Sequence, residues 1–77
     1  MKITVIGLGY VGSVAAAGLA KAGHVVTGIE IDRVRVAAYC RGEVPIFEPG
    51  LSELVGEMTA AGRLSIVHRD DAPPPIG

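Results

Sequence analysis

The chain opens on a short apolar, mostly β-branched run, Ile3-Thr4-Val5-Ile6, and then changes its rhythm. A run of that length and type predicts a buried strand. From Val11 to Ala22 the residues are small and alanine-rich, which predicts a helix, with Gly23 placed to end it. Val25 to Ile29 returns to a continuous apolar run and predicts a second strand that closes at Glu30. Asp32 is placed to cap a short helix over about Arg33 to Cys40, with Gly42 after it. Glu43 to Gly50 contains Pro45, Pro49 and Gly50 and predicts an ordered loop. Leu51 to Ala61 predicts a third helix, because Leu51, Leu54, Val55 and Met58 share one face; Gly62 ends it. Arg63 to His68 predicts a third strand, and Arg69 to Gly77, with Pro73-Pro74-Pro75, an irregular proline-rich tail.

Strand, helix, strand, helix, helix, strand implies parallel strands joined by right-handed crossovers. The uninterrupted apolar character of the first two strands predicts a sheet covered on both faces. The expected class is α/β: a partial Rossmann (doubly wound) fold, a three-stranded parallel sheet with flanking helices over residues 1–68.

Charge changes the picture at one place. No charged residue occurs from Ile3 to Ala20, so this stretch could pass for a membrane helix or a secretory leader. Gly7, Gly9 and Gly12 argue against both, since each costs a helix interior about 1 kcal/mol relative to alanine. Composition narrows the rest. Seventy-seven residues make one small domain, and 49% hydrophobic against 19% charged residues excludes disorder for want of core material. A net charge of −1 offers no basic face, so neither nucleic acid nor an acidic membrane surface is an expected partner. The single cysteine makes no intrachain disulfide and fits a reducing, cytoplasmic setting.

Gly7-Leu8-Gly9-Tyr10-Val11-Gly12 reads G-x-G-x-x-G between a predicted strand and a predicted helix, the context a dinucleotide loop requires. Gly7 permits the turn off the strand, Gly9 lets backbone approach a pyrophosphate, and Gly12 lets the helix pack on the strand. The first N–H groups of the helix supply the anion site. The motif's second half is an acid about 20 residues on, at the end of the next strand, that binds the adenosine ribose. Glu30 is so placed, and its charge would repel a 2′-phosphate, favouring NAD over NADP; Arg33 and Arg35 are the counterargument.

Beyond that motif the sequence resembles the UDP-glucose/GDP-mannose 6-dehydrogenase family. The residues that carry the likeness are Met1 to Gly12, Ala22-Gly23-His24-Val25-Val26, Ile29-Glu30-Ile31-Asp32, Gly62-Arg63-Leu64, and the loop Gly42 to Leu51, which is similar to a P-I-x-E-P-G-L segment of that family. The resemblance implies an enzyme that oxidises a sugar C6 hydroxyl to a carboxylate in two NAD-dependent steps. It also implies that Tyr10 and Val11 contact the pyrophosphate through backbone, that Glu30 takes the ribose role usually held by aspartate, and that Arg35 supplies a basic group near that ribose. Leu8 and Ser13 lean toward the GDP-mannose branch without deciding it. The family's nucleophilic cysteine, its lysine and its sugar-nucleotide contacts fall outside the matching residues. Where the family continues after the third strand, Asp70 to Gly77 departs from its pattern, so an N-terminal fragment, inactive alone, is expected, with an unpaired edge on the first strand open to self-association.

Other chemistry-bearing residues carry blander expectations. Cys40 is expected as a half-buried structural thiol, and His24 and His68 as satisfied or solvent-facing histidines. Glu43 and Glu48 are expected to serve the loop's structure. No catalytic residue and no metal ligand set is assigned.

Overall fold

The computed structural model describes residues 1–46 and 48–72. Its elements are β1 (Lys2–Ile6), α1 (Tyr10–Lys21), β2 (Val25–Glu30), α2 (Arg33–Cys40), α3 (Leu51–Ala60) and β3 (Leu64–His68), followed by a single 3₁₀ turn at Arg69–Asp71. The segment expected to be irregular therefore begins with a turn, in which Asp70 N–H donates to His68 Nδ1 at 3.0 Å. The triple proline lies outside the described residues. The strands are parallel in the order β1-β2-β3, with Ile3 beside Val26 and Val26 beside Leu64. This is a Rossmann-like half sheet with β2 in the middle.

One face of that sheet carries Ile3, Val5, Val26, Gly28, Glu30, Leu64, Ile66 and His68, because side chains alternate along each strand. The core lies against it, built from Leu8, Val26 and Leu64 with Ala16, Ala17 and Ala20 of α1, Tyr39 of α2, and Leu51, Val55 and Met58 of α3. Alanines at the contact let α1 approach the strands closely.

The expectation of a sheet covered on both faces does not hold. The opposite face is open: Ile6 is 81% exposed and Val25 47%, and Lys2, Thr4 and Ser65 are exposed beside them. The reason is topological. Crossovers of one hand running in one direction across a sheet return their helices to the same side. The apolar runs in β1 and β2 therefore overstate burial. Two smaller expectations also fail. Cys40 is exposed rather than half-buried, and His24 Nδ1 is buried without a partner among the described residues. His68 is buried and satisfied, with Nε2 2.8 Å from the Ile31 carbonyl oxygen.

Candidate functional site: a glycine loop at the start of α1

The carboxyl ends of β1 and β2 deliver the glycine loop and Glu30 to one place. Gly7 turns the chain off β1 with φ +87°, a conformation glycine adopts at little cost, and its N–H donates to the Ile29 carbonyl at 2.8 Å. Gly12 is fixed by contact: a Cβ there would lie 1.8 Å from the Gly7 carbonyl oxygen, and backbone cannot step aside as a side-chain tip can. Gly9 is the opposite case. A Cβ on it would meet no atom within 4 Å, so nothing in the described residues occupies the space above it.

Gly9 precedes α1 without a side-chain cap, and the helix's first backbone bond runs from Ser13 N–H to the Gly9 carbonyl at 2.9 Å. The N–H groups of Tyr10, Val11 and Gly12 have no backbone partner among the described residues. With no acid in the first turn to answer the helix dipole, an anion is the natural complement. The Val11 side chain is 78% exposed and Tyr10 55% exposed, at the rim of this opening.

Glu30 ends β2 and is 4% exposed, turned under the loop rather than out to solvent. Its Oε1 accepts from Leu8 N–H at 2.8 Å and its Oε2 from Asp32 N–H at 2.9 Å. The Arg35 guanidinium lies 3.6 Å from Oε1. Burial pushes the Glu30 carboxyl up, but the N–H groups of Asp32 and Leu8 and the charge of Arg35 outweigh it and hold the group below the ordinary glutamate range. Arg35 is thus paired with Glu30 while its side chain stays 37% exposed, and Arg33 points elsewhere, 3.5 Å from Asp70 and 3.9 Å from Asp71.

Four contacts around the loop were not foreseen from the sequence. Leu8 N–H is held by Glu30; the Leu8 carbonyl accepts from Ser13 Oγ at 2.9 Å, and Ser13 in turn bonds the Tyr39 hydroxyl, both side chains buried. Tyr10 donates its hydroxyl to Glu48 Oε2 at 2.6 Å. These pairs join residues from 5 to 38 positions apart with no shared periodicity, so no local pattern marks them. Among the sites expected from the sequence, Gly7, Gly9, Tyr10, Val11, Gly12, Glu30 and Arg35 do come together at one end of the sheet.

Residues 1–72 match the family described as UDP-glucose/GDP-mannose dehydrogenase family, NAD binding domain. The chain belongs to the UDP-glucose/GDP-mannose dehydrogenase family. The cofactor of its matched domain is NAD, and the structure suits it: free helix N–H groups, an open glycine above them, and an acid at the end of β2. The family likeness is close in sequence. The chain is 52% identical over 65 residues to UDP-glucose 6-dehydrogenase YwqF of Bacillus subtilis (strain 168), covering 84% of this chain and 15% of that protein. It is 45% identical to GDP-mannose 6-dehydrogenase of Azotobacter vinelandii, covering 83% of this chain and 15% of that one. In structure it matches a UDP-glucose dehydrogenase from the hyperthermophilic archaeon Pyrobaculum islandicum with TM-score 0.81 and 42% identity, over 86% of this chain and 15% of that chain. The chain thus spans about one seventh of the length of these family members.

Proposed function

We propose that this chain is the NAD-binding N-terminal part of a nucleotide-sugar 6-dehydrogenase, in which Gly7, Gly9, Tyr10, Val11, Gly12, Glu30 and Arg35 hold the cofactor. The parent reaction is oxidation of the C6 hydroxyl of a UDP- or GDP-linked sugar to a carboxylate, with two NAD accepting the hydrides. NAD supplies the hydride acceptor. Tyr10, Val11 and Gly12 supply backbone donors for its pyrophosphate, and the remaining lone pairs of Glu30 accept from ribose hydroxyls. No residue of this chain is given a catalytic role; the sugar nucleotide, and the setting in the cytoplasm, belong to the proposal for the parent enzyme. The observation that carries the reading is the set of three N–H groups, without a backbone partner among the described residues, under an open Gly9.

Calorimetric titration with NAD and with ADP-ribose tests it. Saturable heat with both supports the reading, and a folded sample giving none at millimolar ligand overturns it. A second reading, a self-associating module, is favoured by the open sheet face and by β1, which has one strand neighbour among the described residues. It predicts a sedimentation coefficient that rises with concentration and is indifferent to Gly9→Val.

A further inference from the structure

The proline-glutamate loop supplies no cofactor contact of its own, yet it reaches the glycine loop through one bond. Glu48 Oε2 accepts from the Tyr10 hydroxyl at 2.6 Å, joining the residue that opens α1 to one that lies 38 positions later. Tyr10 stands on the α1 stripe that continues through Val14 and Gly18, the latter two lining a cleft with Glu48, Pro49, Gly50 and Leu51. The stripe therefore faces the start of α3.

Glu48 is held on that side by more than its own side chain. Its N–H donates to the Ile46 carbonyl at 3.1 Å, and its carbonyl accepts from Leu51 N–H at 3.1 Å. Gly50, at φ +81°, makes the turn into α3, and Leu51, Val55 and Met58 share a core with Ala16, Ala17 and Ala20 of α1. The acceptor thus keeps its place relative to α1 because the two helices are packed together. The bond also acts on Tyr10, whose phenol is held above its ordinary range first by the hydrogen bond to Glu48 and then by the charge of that carboxylate.

We infer that Glu48 is a positioning residue for the dinucleotide site: it keeps the Tyr10 ring on the α3 side of α1, so that the N–H groups at the helix start stay open to a pyrophosphate. A large, half-exposed ring on the first residue of a helix otherwise has rotamers that sweep across that opening. The inference rests on the reading of the chain as an NAD-binding unit.

The test uses the full chain in four forms: wild type, Glu48→Ala, Tyr10→Phe and the double variant, with Glu48→Gln as the conservative control that keeps an acceptor. Calorimetric affinity for ADP-ribose falls about 3- to 10-fold in each single variant, the scale of one ordinary net hydrogen bond. The double variant binds no more weakly than either single one, since one bond is lost once, and Glu48→Gln stays within about 2-fold of wild type. Additive losses, or unchanged affinity in Tyr10→Phe, would overturn the inference. A tyrosinate titration followed at 295 nm decides the bond without ligand: the transition that Tyr10→Phe removes lies above the ordinary tyrosine range in the wild type and moves down in Glu48→Gln. A wild-type chain that shows this transition but binds no ADP-ribose overturns the cofactor reading and the positioning role, while leaving the bond itself established. An absent transition beside intact binding overturns the positioning role alone.

Discussion

The Glu30 carboxylate accepts the amide proton of Leu8 across 2.8 Å, so the acid at the end of β2 is bonded to the middle of the glycine loop. The residue expected to meet a ribose is thus also a structural tie within the cradle, with one oxygen on Leu8 and the other on Asp32. On the proposed reading, a ribose would share this carboxylate with Leu8 and Asp32.

That double duty gives Glu30→Ala a cost in two measurements. Leu8 N–H, 0% exposed as a residue, is left without its acceptor, and a buried donor stranded in this way costs about 1–3 kcal/mol. Urea unfolding should show the loss of stability, and affinity for NAD should fall more than affinity for NADP, since only the former gains from the acid. Equal losses for both cofactors would count against the ribose assignment.

Acidity should act through the same group. The folded-state Glu30 carboxyl titrates below the ordinary glutamate value of about 4.3, so its contribution is complete above that value and is lost as pH falls through the lower, folded-state value. Melting temperature measured from pH 7 down to 3 should decline at the acid end. In Glu30→Gln that part of the decline should be shallower, even though the variant starts from lower stability.

The glycines separate by what surrounds them. Gly12→Ala places a methyl carbon 1.8 Å from the Gly7 carbonyl oxygen, so it should unfold the start of α1 or the whole chain, read as lost helical circular dichroism. Gly9→Val meets no protein atom at its Cβ and should keep the melting temperature within a few degrees while abolishing measurable ADP-ribose binding. A Gly9→Val chain that binds normally would remove this loop from the cofactor site.

Ser13 and Tyr39 form a buried hydroxyl relay to the Leu8 carbonyl. Ser13→Ala and Tyr39→Phe should each destabilise by about 1–2 kcal/mol, and the double variant by less than their sum, because either change already breaks the relay. Chemical denaturation of the three variants measures the coupling.

Much of this arrangement was legible along the chain. Gly7, Gly9 and Gly12 fall between a β-branched run and an alanine-rich one, and each element of the expected order is present within a residue or so of its expected ends. Asp32 caps α2 as its position implied, accepting from Val34 N–H at 2.9 Å. What the sequence withheld depends on direction in space. Alternation tells that Thr4 and Ile6 share a face but not that, among the described residues, no helix returns to it. Spacing puts Glu30 at the strand end but does not say that its carboxylate turns inward. Tyr10 and Glu48 meet only because α1 and α3 pack side by side, a fact that no stretch of either contains.

The bond between Leu8 and Glu30 spans 22 positions, all within the first crossover. Closing a loop of that length has a lower entropic cost than closing the longer excursion from β2 through α2 and α3 to β3. The cradle is thereby encoded in the part of the chain with the shorter loop to close, while Tyr39 and Glu48 belong to the second crossover, which is expected to close later. Pulse-labelled hydrogen exchange during refolding should find the amides of Gly7 and Leu8 protected before those of β3. The end of the sheet that carries the glycine loop is, by this measure, the part expected to close first.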